Sequence, residues 1–511
     1  LSTHLSATPP TLYDPHRNKP APSSHYAHCS LALALFWRRP TVPAWETALT
    51  AYLAIPAKEL GHHPFNRLLL LLLSAALPDN AAAAEHVRSA LRRCPLAAAY
   101  PSNNWTLLAQ LCRILETPQH STARDTAIAA FKALLTRWMT DAGGFIDYPA
   151  EPSDKRGATP IAYHHKALLL TTIAVCHANA VALKSELQAL FDWAAQWIDE
   201  AGLCGGFGRT NHGLFGDACL LASLTLLRRS GATQCESIES AIGRIVTRLK
   251  QQQREDGLIW LTPAGANGWD SYMYLSVYDA WFAGILAWAN AVPLHEQTLF
   301  MSLTTPGSAP FMDESAGLIA WRTQTRGVQL EVMISTTGQP PQGFSSDQVE
   351  LRYAGGTVFN LVVGAQPMIP PPVRIKRTTL QHTPTLAGST PIFEHREQLY
   401  GLVDLAVKRI ETSQDQLVVE LCGIPTALTA NARGQGFLSS IIDAVDWRFF
   451  GSRFARRRAL QRARLDEVHC DLQITVSAAK RSLPYGHCSA HQARRLAPGS
   501  HDFAHTLDVA V

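Results

Sequence analysis

The stretch Thr159–Leu183, TPIAYHHKALLLTTIAVCHANAVAL, decides the fold of the N-terminal half. Its apolar residues recur every three or four positions, which is the period of an α-helix. Thr159 and Pro160 are typical of a helix start, because threonine caps the first turn and proline fits the first helical position. The stretch therefore predicts a helix with Tyr163, His164 and His165 in its first turn.

The helical period continues on both sides of this stretch, from about residue 43 to residue 295. It predicts about ten helices, joined by loops that contain Gly, Pro, Asn and Asp. No repeat of roughly 30–45 residues is visible, and polar and aromatic residues cluster at helix starts and in loops. Both observations favour a toroid of helical hairpins over a solenoid.

The pattern changes near residue 300, where β-branched residues, period-two stretches and turn residues take over. This predicts an antiparallel β-domain, with a sandwich as the default architecture. Residues 437–465 interrupt the strands as a helical or irregular insertion. Its arginines indicate either a solvated face or a contact for polyanions or a membrane surface. They are Arg453, Arg456, Arg457, Arg458, Arg462 and Arg464.

With 511 residues, the chain is too long for one core. The patterns predict a multidomain α and β protein in three parts. Residues 1–42 are expected to form an N-terminal arm, and residues 43–300 an (α/α) toroid, an incomplete barrel that carries catalysis. Residues 301–511 are expected to form the antiparallel β-sheet domain with the basic insertion.

Composition narrows the class of protein. The chain is 47% hydrophobic and 17% charged, as globular proteins are. A net charge of +4 without a basic stripe argues against nucleic-acid binding. The 10 cysteines form no CxxC pair, so buried free thiols are expected rather than disulfides or structural zinc. The apolar runs are too short for an integral membrane segment. The location stays open between a periplasmic or secreted protein, if a signal peptide was removed, and a cytoplasmic one.

Four clusters of polar and aromatic residues lie at helix starts or in loops: Asn103–Trp105, Tyr163–His165, Gly205–His212 and Trp269–Tyr274. Each has a structural alternative, namely a helix cap, packed side chains, a solvated glycine-rich turn or core aromatics. Their chemistry nevertheless suits β-elimination at a uronic acid. That reaction needs donors such as Asn, Arg and His to neutralise the sugar carboxylate, and a Tyr or His to transfer protons without a metal.

The layout of a helical toroid followed by a β-domain resembles the heparinase II/III and alginate-lyase type of polysaccharide lyase. In that group an Asn precedes a helix, and a Tyr-His pair opens a later helix after an aromatic loop. This chain offers Asn103–Asn104–Trp105, the loop Gly143–Pro149 and then Tyr163–His164. Where the group has Asn-His, this chain has Asn-Asn-Trp. For a second catalytic residue from the β-domain, the candidates are His382, His395 and Tyr400.

The resulting hypothesis is a polysaccharide lyase that acts on an acidic polysaccharide or oligosaccharide, without cofactor or metal. Catalytic roles are predicted for Asn104, Tyr163, His164, Arg209 and His212. Substrate contacts are predicted for Asn103, Trp105, His165, Asn211, Trp269, Tyr272 and Tyr274.

Two alternatives remain open. A glycoside hydrolase on the same toroid would need a pair of carboxylates, with Asp147, Asp217 and Asp270 as candidates. A non-catalytic glycan-binding protein would need neither a carboxylate pair nor a proton-transferring tyrosine such as Tyr163. The sequence does not indicate the glycan, its linkage, endo or exo action, or the oligomeric state.

Overall fold

A computed structural model describes most of the chain. The described residues are 12–38, 44–77, 82–98, 100, 102–147, 160–204, 206–208, 213–231, 235–266, 269, 272–295, 309–338, 348–369, 374–376, 390–395, 398–428, 445, 468–479, 494–495 and 499–510.

The described part of the N-terminal half is helical. Its α-helices are α1 Ala27–Arg38, α2 Ala44–Ala54, α3 His63–Ser74, α4 Ala82–Arg92, α5 Asn103–Glu116, α6 Thr122–Trp138, α7 Ile161–Thr172, α8 Lys184–Ala195, α9 Leu214–Arg229, α10 Cys235–Gln251 and α11 Leu275–Ala291. The predicted helix after Pro160 is confirmed as α7, which continues as one π-helical turn, Ile173–His177.

The helices form two layers of a closed ring. The odd-numbered helices lie inside and pack in the order α1, α3, α5, α7, α9, α11, and α11 packs back against α1. The even-numbered helices lie outside, each against the inner helix before it. Composition explains the layers: α9 is buried from Leu214 to Leu227, whereas α4 buries only Ala84, Val87 and Ala90.

Ring closure overturns two expectations. The barrel is not incomplete, because α1 packs against both α11 and α3. The arm predicted for residues 1–42 is wrong for residues 27–38, which form α1 itself. The predicted domain boundary near residue 300 lies outside the described residues.

All six inner helices of the described part run in the same direction. Contacts among the first two turns of neighbouring helices and the residues just before them show this. They join Tyr26 to Phe65, Phe65 to Trp105, Lys166 to Asn104, Gly216 to Ala162, and Phe215 to Tyr278. We call this end the mouth: the first turns of α1, α3, α5, α7, α9 and α11 with the residues just before them.

The opposite end of the ring contains a cavity of about 660 Å³ between the last turns of inner helices. Its walls include Trp37, Leu72, Leu115, His177 and Val292.

The described part of the C-terminal half is built from strands. A five-stranded antiparallel sheet has the order β3-β4-β5-β7-β8, and a six-stranded sheet has the order β14-β10-β11-β12-β13-β15. The strands, with the hairpin β1–β2 that precedes α1, are β1 Tyr13–Asp14, β2 Lys19–Pro20, β3 Phe311–Asp313, β4 Leu318–Thr325, β5 Val328–Ser335, β6 Gln348–Glu350, β7 Thr357–Val363, β8 Gln366–Pro367, β9 Arg374–Lys376, β10 Phe393–His395, β11 Gln398–Thr412, β12 Gln416–Ala427, β13 Val468–Ala479, β14 Arg494–Arg495 and β15 Gly499–Ala510.

The β-sheets only partly follow the antiparallel prediction. In the six-stranded sheet, β13 pairs with β15 and β10 with β14 in parallel. Side chains of both large sheets share one core, for example Trp321 and Val332 from the first sheet with Val419 and Ile474 from the second. The sandwich geometry stays a prediction. The insertion 437–465, with its arginines, lies outside the described residues except for Val445.

The five-stranded sheet packs against the helical ring. A small apolar cluster joins Trp193, Trp197 and Phe207 of the ring to Leu318 and Phe359 of the sheet. The contact is also polar, as three bonds across it show: Thr140 Oγ1 donates to Asp313 Oδ2 at 2.6 Å, Asn360 Nδ2 donates to Asp199 Oδ2 at 2.5 Å, and the Arg322 guanidinium donates to the Gln196 carbonyl at 2.7 Å.

Within the described residues, seven cysteines are buried and carry free thiols, as expected: Cys29, Cys94, Cys112, Cys176, Cys204, Cys219 and Cys470. No described helix is long and apolar enough to cross a membrane. The described side chains also contain no group of three or more His, Cys, Asp or Glu that could hold a metal.

Candidate functional site

Half-buried aromatic side chains surround the mouth. Trp105, Tyr163, Trp269, Tyr272 and Tyr274, which the sequence singled out, are all partly exposed there and pack on the helical core. Neighbouring rings extend this rim: the centroids of His16 and Trp269 lie 4.2 Å apart, and those of His62 and Trp105 lie 4.9 Å apart. Partly exposed aromatic faces offer stacking surfaces for sugar rings.

Cations lie over the same rim. The Arg17 guanidinium is 4.7 Å from the centre of the Tyr274 ring, and the Lys19 ammonium is 5.3 Å from it. Arg17 Nε also donates to the carbonyl of Met273 at 2.9 Å. The hairpin β1–β2 thus places two cations beside the start of α11, together with the Asp14 carboxylate, whose Oδ2 accepts from the Ser276 N–H at 2.9 Å.

Asn104 lies below the rim in a buried polar cluster. Its Nδ2 donates to Asp147 Oδ1 and, at 3.1 Å, to Ser102 Oγ, while its Oδ1 accepts from Lys166 Nζ at 2.6 Å. Both amide hydrogens and the amide oxygen therefore have protein partners. Asn104 is also only 4% exposed, so this geometry does not offer its amide to a substrate carboxylate.

Asn103 and the loop before α7 complete this cluster. The Asn103 amide donates to the Ile146 carbonyl at 2.8 Å, and its backbone N–H donates to the Asp147 carbonyl at 2.8 Å. Asn103 thus fastens the start of α5 to residues 145–147. The short motifs that carried the family resemblance meet at this point, apart from Tyr148 and Pro149, which lie outside the described residues.

Lys166 is the residue of this cluster that the sequence reasoning missed. It is fully buried, and its ammonium lies 3.9 Å from the centre of the Phe65 ring. Burial lowers the pKa of Lys166 to about 7, and the nearby Asp147 carboxylate opposes that shift. A lysine inside the apolar run IAYHHKALLL was the available signal, because lysine is rarely buried without a partner.

His164 does not face the mouth. Its Nδ1 accepts from the backbone N–H of Phe145 at 3.1 Å, so its Nε2 carries the proton that goes to the Leu190 carbonyl at 2.9 Å. The ring also lies 4.1 Å from that of Trp193, and burial holds the pKa of His164 well below its usual range. These contacts make His164 a neutral structural link between α7, α8 and the loop before α7.

His165 packs between α7 and α9. It is 1% exposed, its Nε2 has no hydrogen-bond partner among the described residues, and burial lowers its pKa to about 3. A substrate contact by His165 is therefore not favoured by its position.

Several predicted residues lie outside the described residues: Arg209, Asn211, His212, Asp270 and His382. The β-domain candidates His395 and Tyr400 lie on β10 and β11, with ring centroids 6.4 Å apart. Tyr400 belongs to the core that the two large sheets share, so it does not reach the mouth from there.

The acidic candidates differ in their surroundings. Asp217 forms a buried ion pair with Arg248 at 2.8 Å, which is a structural role. Asp279, which the sequence reasoning missed, lies in the second turn of α11. Its Oδ1 accepts from the Ile259 N–H at 2.8 Å, while Oδ2 has no partner in the described part of the chain. Burial raises the pKa of Asp279 well above its usual range.

No protein-family model matches the sequence, and no curated protein matches it. Solved structures resemble it weakly. The family 76 α-1,6-mannanase from Salegentibacter sp. HEL1_6 is 12% identical, with a TM-score of 0.41 over 57% of this chain and 95% of that chain. A polysaccharide lyase is 9% identical, with a TM-score of 0.38 over 52% and 89%. A glycosyl hydrolase family 88 protein from Bacteroides vulgatus is 8% identical, with a TM-score of 0.41 over 53% and 93%.

Proposed function

We propose that this chain cleaves an acidic glycan at the mouth of its helical ring, by β-elimination at a uronic acid with Tyr163 as a proton-transfer residue. The observation that carries the proposal is the common direction of the six inner helices. All of them begin at the mouth, below the aromatic rim.

The helix starts favour an anionic ligand. Each carries partial positive charge, which stabilises an anion by about 0.3–1 kcal/mol within the first turn. The capping residues of α3, α7 and α9 make no side-chain hydrogen bond to their first turns. The starts of α5 and α11 already bind protein carboxylates, because the Asn104 N–H donates to Asp147 Oδ1 at 3.1 Å and the Ser276 N–H donates to Asp14 Oδ2 at 2.9 Å. Arg17 and Lys19 add full charges over Tyr274. A uronate-containing glycan has the matching properties, a carboxylate on a sugar ring that stacks on aromatic faces.

Tyr163 is suited to proton transfer by its position in the first turn of α7. Lys166 lies three residues further along, so the two side chains share one face of the helix. Because the Asn104 amide is engaged by Asp147 and Lys166, neutralisation of the uronate falls to the starts of α3, α7 and α9 and to Arg209. The roles of Arg209 and His212 stay predictions.

The test is the ultraviolet absorbance of the unsaturated uronate that β-elimination produces. Purified protein is incubated separately with alginate, pectate, hyaluronan and heparan sulfate. We expect absorbance to rise with at least one of them, and Tyr163→Phe to lower that rate about 100-fold or more, the usual contribution of a proton-transfer group. The matched control is Tyr52→Phe, which removes a buried hydroxyl from outer helix α2 and should leave the rate unchanged. An unchanged absorbance with all four glycans would overturn the proposal.

A hydrolase remains the second candidate because of Asp279. Burial raises the pKa of Asp279 well above its usual range, which is the direction that a general acid requires. Its hydrogen-bond partner Ile259 directly precedes Trp260, whose ring centroid is 6.0 Å from that of Trp269 on the rim. In that case reducing ends would appear without an ultraviolet change, and Asp279→Asn rather than Tyr163→Phe would stop their release.

A further inference from the structure

His62, just before α3, has an unusual backbone. Its φ is 45° and its ψ is 37°, which is the left-handed conformation that residues other than glycine rarely adopt. Such a conformation costs about 1–3 kcal/mol and persists only where the surroundings impose it. Non-glycine residues held in this way cluster at functional sites, so the position of this ring needs an explanation.

The surroundings hold the turn at Gly61 and His62 from two sides. The His62 carbonyl accepts from the backbone N–H groups of Phe65 and Asn66 at 2.9 and 3.1 Å, and the Asn66 side chain donates to the Gly61 carbonyl at 3.0 Å. On the other side the turn presses against Ser24, since a Cβ on Gly61 would lie 2.8 Å from the Ser24 carbonyl oxygen. The conformation of His62 is therefore fixed by α3 and by the segment before α1.

The hydrogen bond of the ring determines its tautomer. His62 Nδ1 lies 2.8 Å from the Ser24 carbonyl oxygen. A carbonyl can only accept, so Nδ1 carries the proton and Nε2 of the neutral ring has a free lone pair. No described residue donates a hydrogen bond to Nε2. By contrast, the neighbouring His25 ring is bonded to Ser24 Oγ and to the Tyr272 backbone.

The ring of His62 lies in the mouth. Its centroid is 4.9 Å from that of Trp105, 4.5 Å from that of His25 and 5.6 Å from that of Tyr26. The side chain is partly exposed, unlike those of His164 and His165. Among the described histidines, His62 combines a fixed tautomer, a strained backbone and access to the mouth.

From this geometry we propose that His62 is the general base of the mouth site, with Nε2 as the atom that accepts the proton. The inference rests on the proposed function, because it assigns the base of that elimination.

The electrostatic surroundings keep the free ring neutral. The pKa of His62 is lowered to about 3, mainly by burial and also by His25, Lys166 and His63, while the hydrogen bond to the Ser24 carbonyl opposes the shift. The free ring is therefore unprotonated at neutral pH. A uronate bound beside it adds negative charge, which raises the pKa of the ring towards neutrality. His62 thus becomes a stronger base when the substrate is bound.

The step balances as follows. The C5 proton of the uronate moves to His62 Nε2, and its electron pair forms the C4–C5 double bond. The C4–O glycosidic bond breaks, and the leaving oxygen takes the phenolic proton of Tyr163. Water then carries the proton from the His62 ring to the Tyr163 phenolate, which restores both groups.

The variant that tests this role is His62→Gly, because glycine adopts a positive φ without strain. We expect kcat on the responding glycan to fall about 100-fold or more. Added imidazole should restore at least about a tenth of the lost rate, which loss of structure alone would not allow. The control is His120→Gly, the same change at an exposed residue with φ 60°, and it should keep the rate with or without imidazole.

A second readout does not depend on activity. In nitrogen-15 spectra of histidine-labelled protein, the ring signal lost in His62→Gly should be that of an Nδ1–H tautomer at pH 7. An Nε2–H tautomer, or a variant that keeps more than about half the rate, would overturn the inference while leaving the proposed function intact. A wild-type chain that releases no unsaturated uronate would overturn the proposed function, and the role of His62 with it.

Discussion

Lys166 shows how one residue connects fold and chemistry. Its ammonium is fully buried among α3, α5 and α7, and its hydrogen-bond partner, Asn104, is itself bonded to the Asp147 carboxylate. The Asn104 amide therefore bridges the Lys166 ammonium and the Asp147 carboxylate, so that the two opposite charges lie close together without direct contact. Removal of either end would leave a buried charge without compensation.

The lowered pKa of Lys166 predicts a pH dependence of stability. The folded-state pKa is about 7 and the unfolded value is about 10.4. Between these values the unfolded chain binds more protons, so the contribution of Lys166 to stability grows as pH rises. The wild type and Lys166→Met differ in their free energy of unfolding. Between pH 7 and pH 9 this difference should increase by about 2 kcal/mol in favour of the wild type.

Urea unfolding of both proteins at several pH values measures this difference. The control is Lys132→Met on α6, whose ammonium pairs with Glu186 at 3.1 Å and whose side chain is 43% exposed, so that water still reaches it. The difference in free energy of unfolding between Lys132→Met and the wild type should not change between pH 7 and pH 9. If the difference for Lys166→Met did not change either, the lowered pKa of Lys166 would be contradicted.

The candidate site could be predicted from the sequence only in part. Polar and aromatic residues at helix starts identified Tyr163, Trp105 and Tyr274 as residues that face the mouth. The sequence could not show that Asn104 is engaged by Asp147 and Lys166, because that contact joins residues far apart in the chain. His62 was missed because its signal is a backbone conformation and a tautomer, and neither is visible in a sequence.

At the scale of elements, α1 and α11 pack with their backbones in close contact. A Cβ on Gly284 of α11 would lie 2.6 Å from the Ser30 carbonyl oxygen of α1. This is backbone rather than a movable side chain, so the two helices can pack this closely only because residue 284 is glycine. The closure of the ring depends on this contact.

Two glycine substitutions should therefore change stability in opposite directions. Gly284→Ala should lower the free energy of unfolding by about 1–3 kcal/mol, because the added methyl group pushes α1 away from α11. Gly243→Ala on outer helix α10, where a Cβ meets nothing within 4 Å, should raise it by up to about 1 kcal/mol through helix propensity. Thermal and urea unfolding measure both variants, and equal effects in the same direction would refute the close contact.

The helices could be predicted well because their period is local. The helical period expected from about residue 43, for example, begins with α2, Ala44–Ala54. α1 was missed although Leu31–Trp37 is apolar, because the Pro- and Ser-rich residues before it suggested an arm. The parallel pairing of β13 with β15 was missed because strand order depends on contacts that periodicity does not encode.

For the whole molecule, the contact between ring and sheet gives a further prediction. Asp313 Oδ2 accepts from Thr140 Oγ1 at 2.6 Å and from Trp193 Nε1 at 2.8 Å, and all three residues are buried. Asp313→Ala should lower the free energy of unfolding by about 2–5 kcal/mol, because two buried donors lose their acceptor.

Calorimetry should show a lower unfolding midpoint for this variant. The control Asp471→Ala removes a carboxylate that is 47% exposed and pairs with Lys408 on the surface, so a loss of at most about 1 kcal/mol is expected. If the two variants lost equal stability, the buried contact of Asp313 between ring and sheet would stabilise the fold no more than an exposed ion pair does.

Ring closure also has a consequence for the order of events during synthesis. α1 is made first among the helices of the ring, yet one of its two inner neighbours, α11, begins only at Leu275. At about 5–20 residues per second, the ribosome needs roughly 10–50 s to reach that point. Throughout this interval the apolar face of α1 that α11 later covers has no native partner. The nascent chain thus exposes this apolar face until the last inner helix covers it.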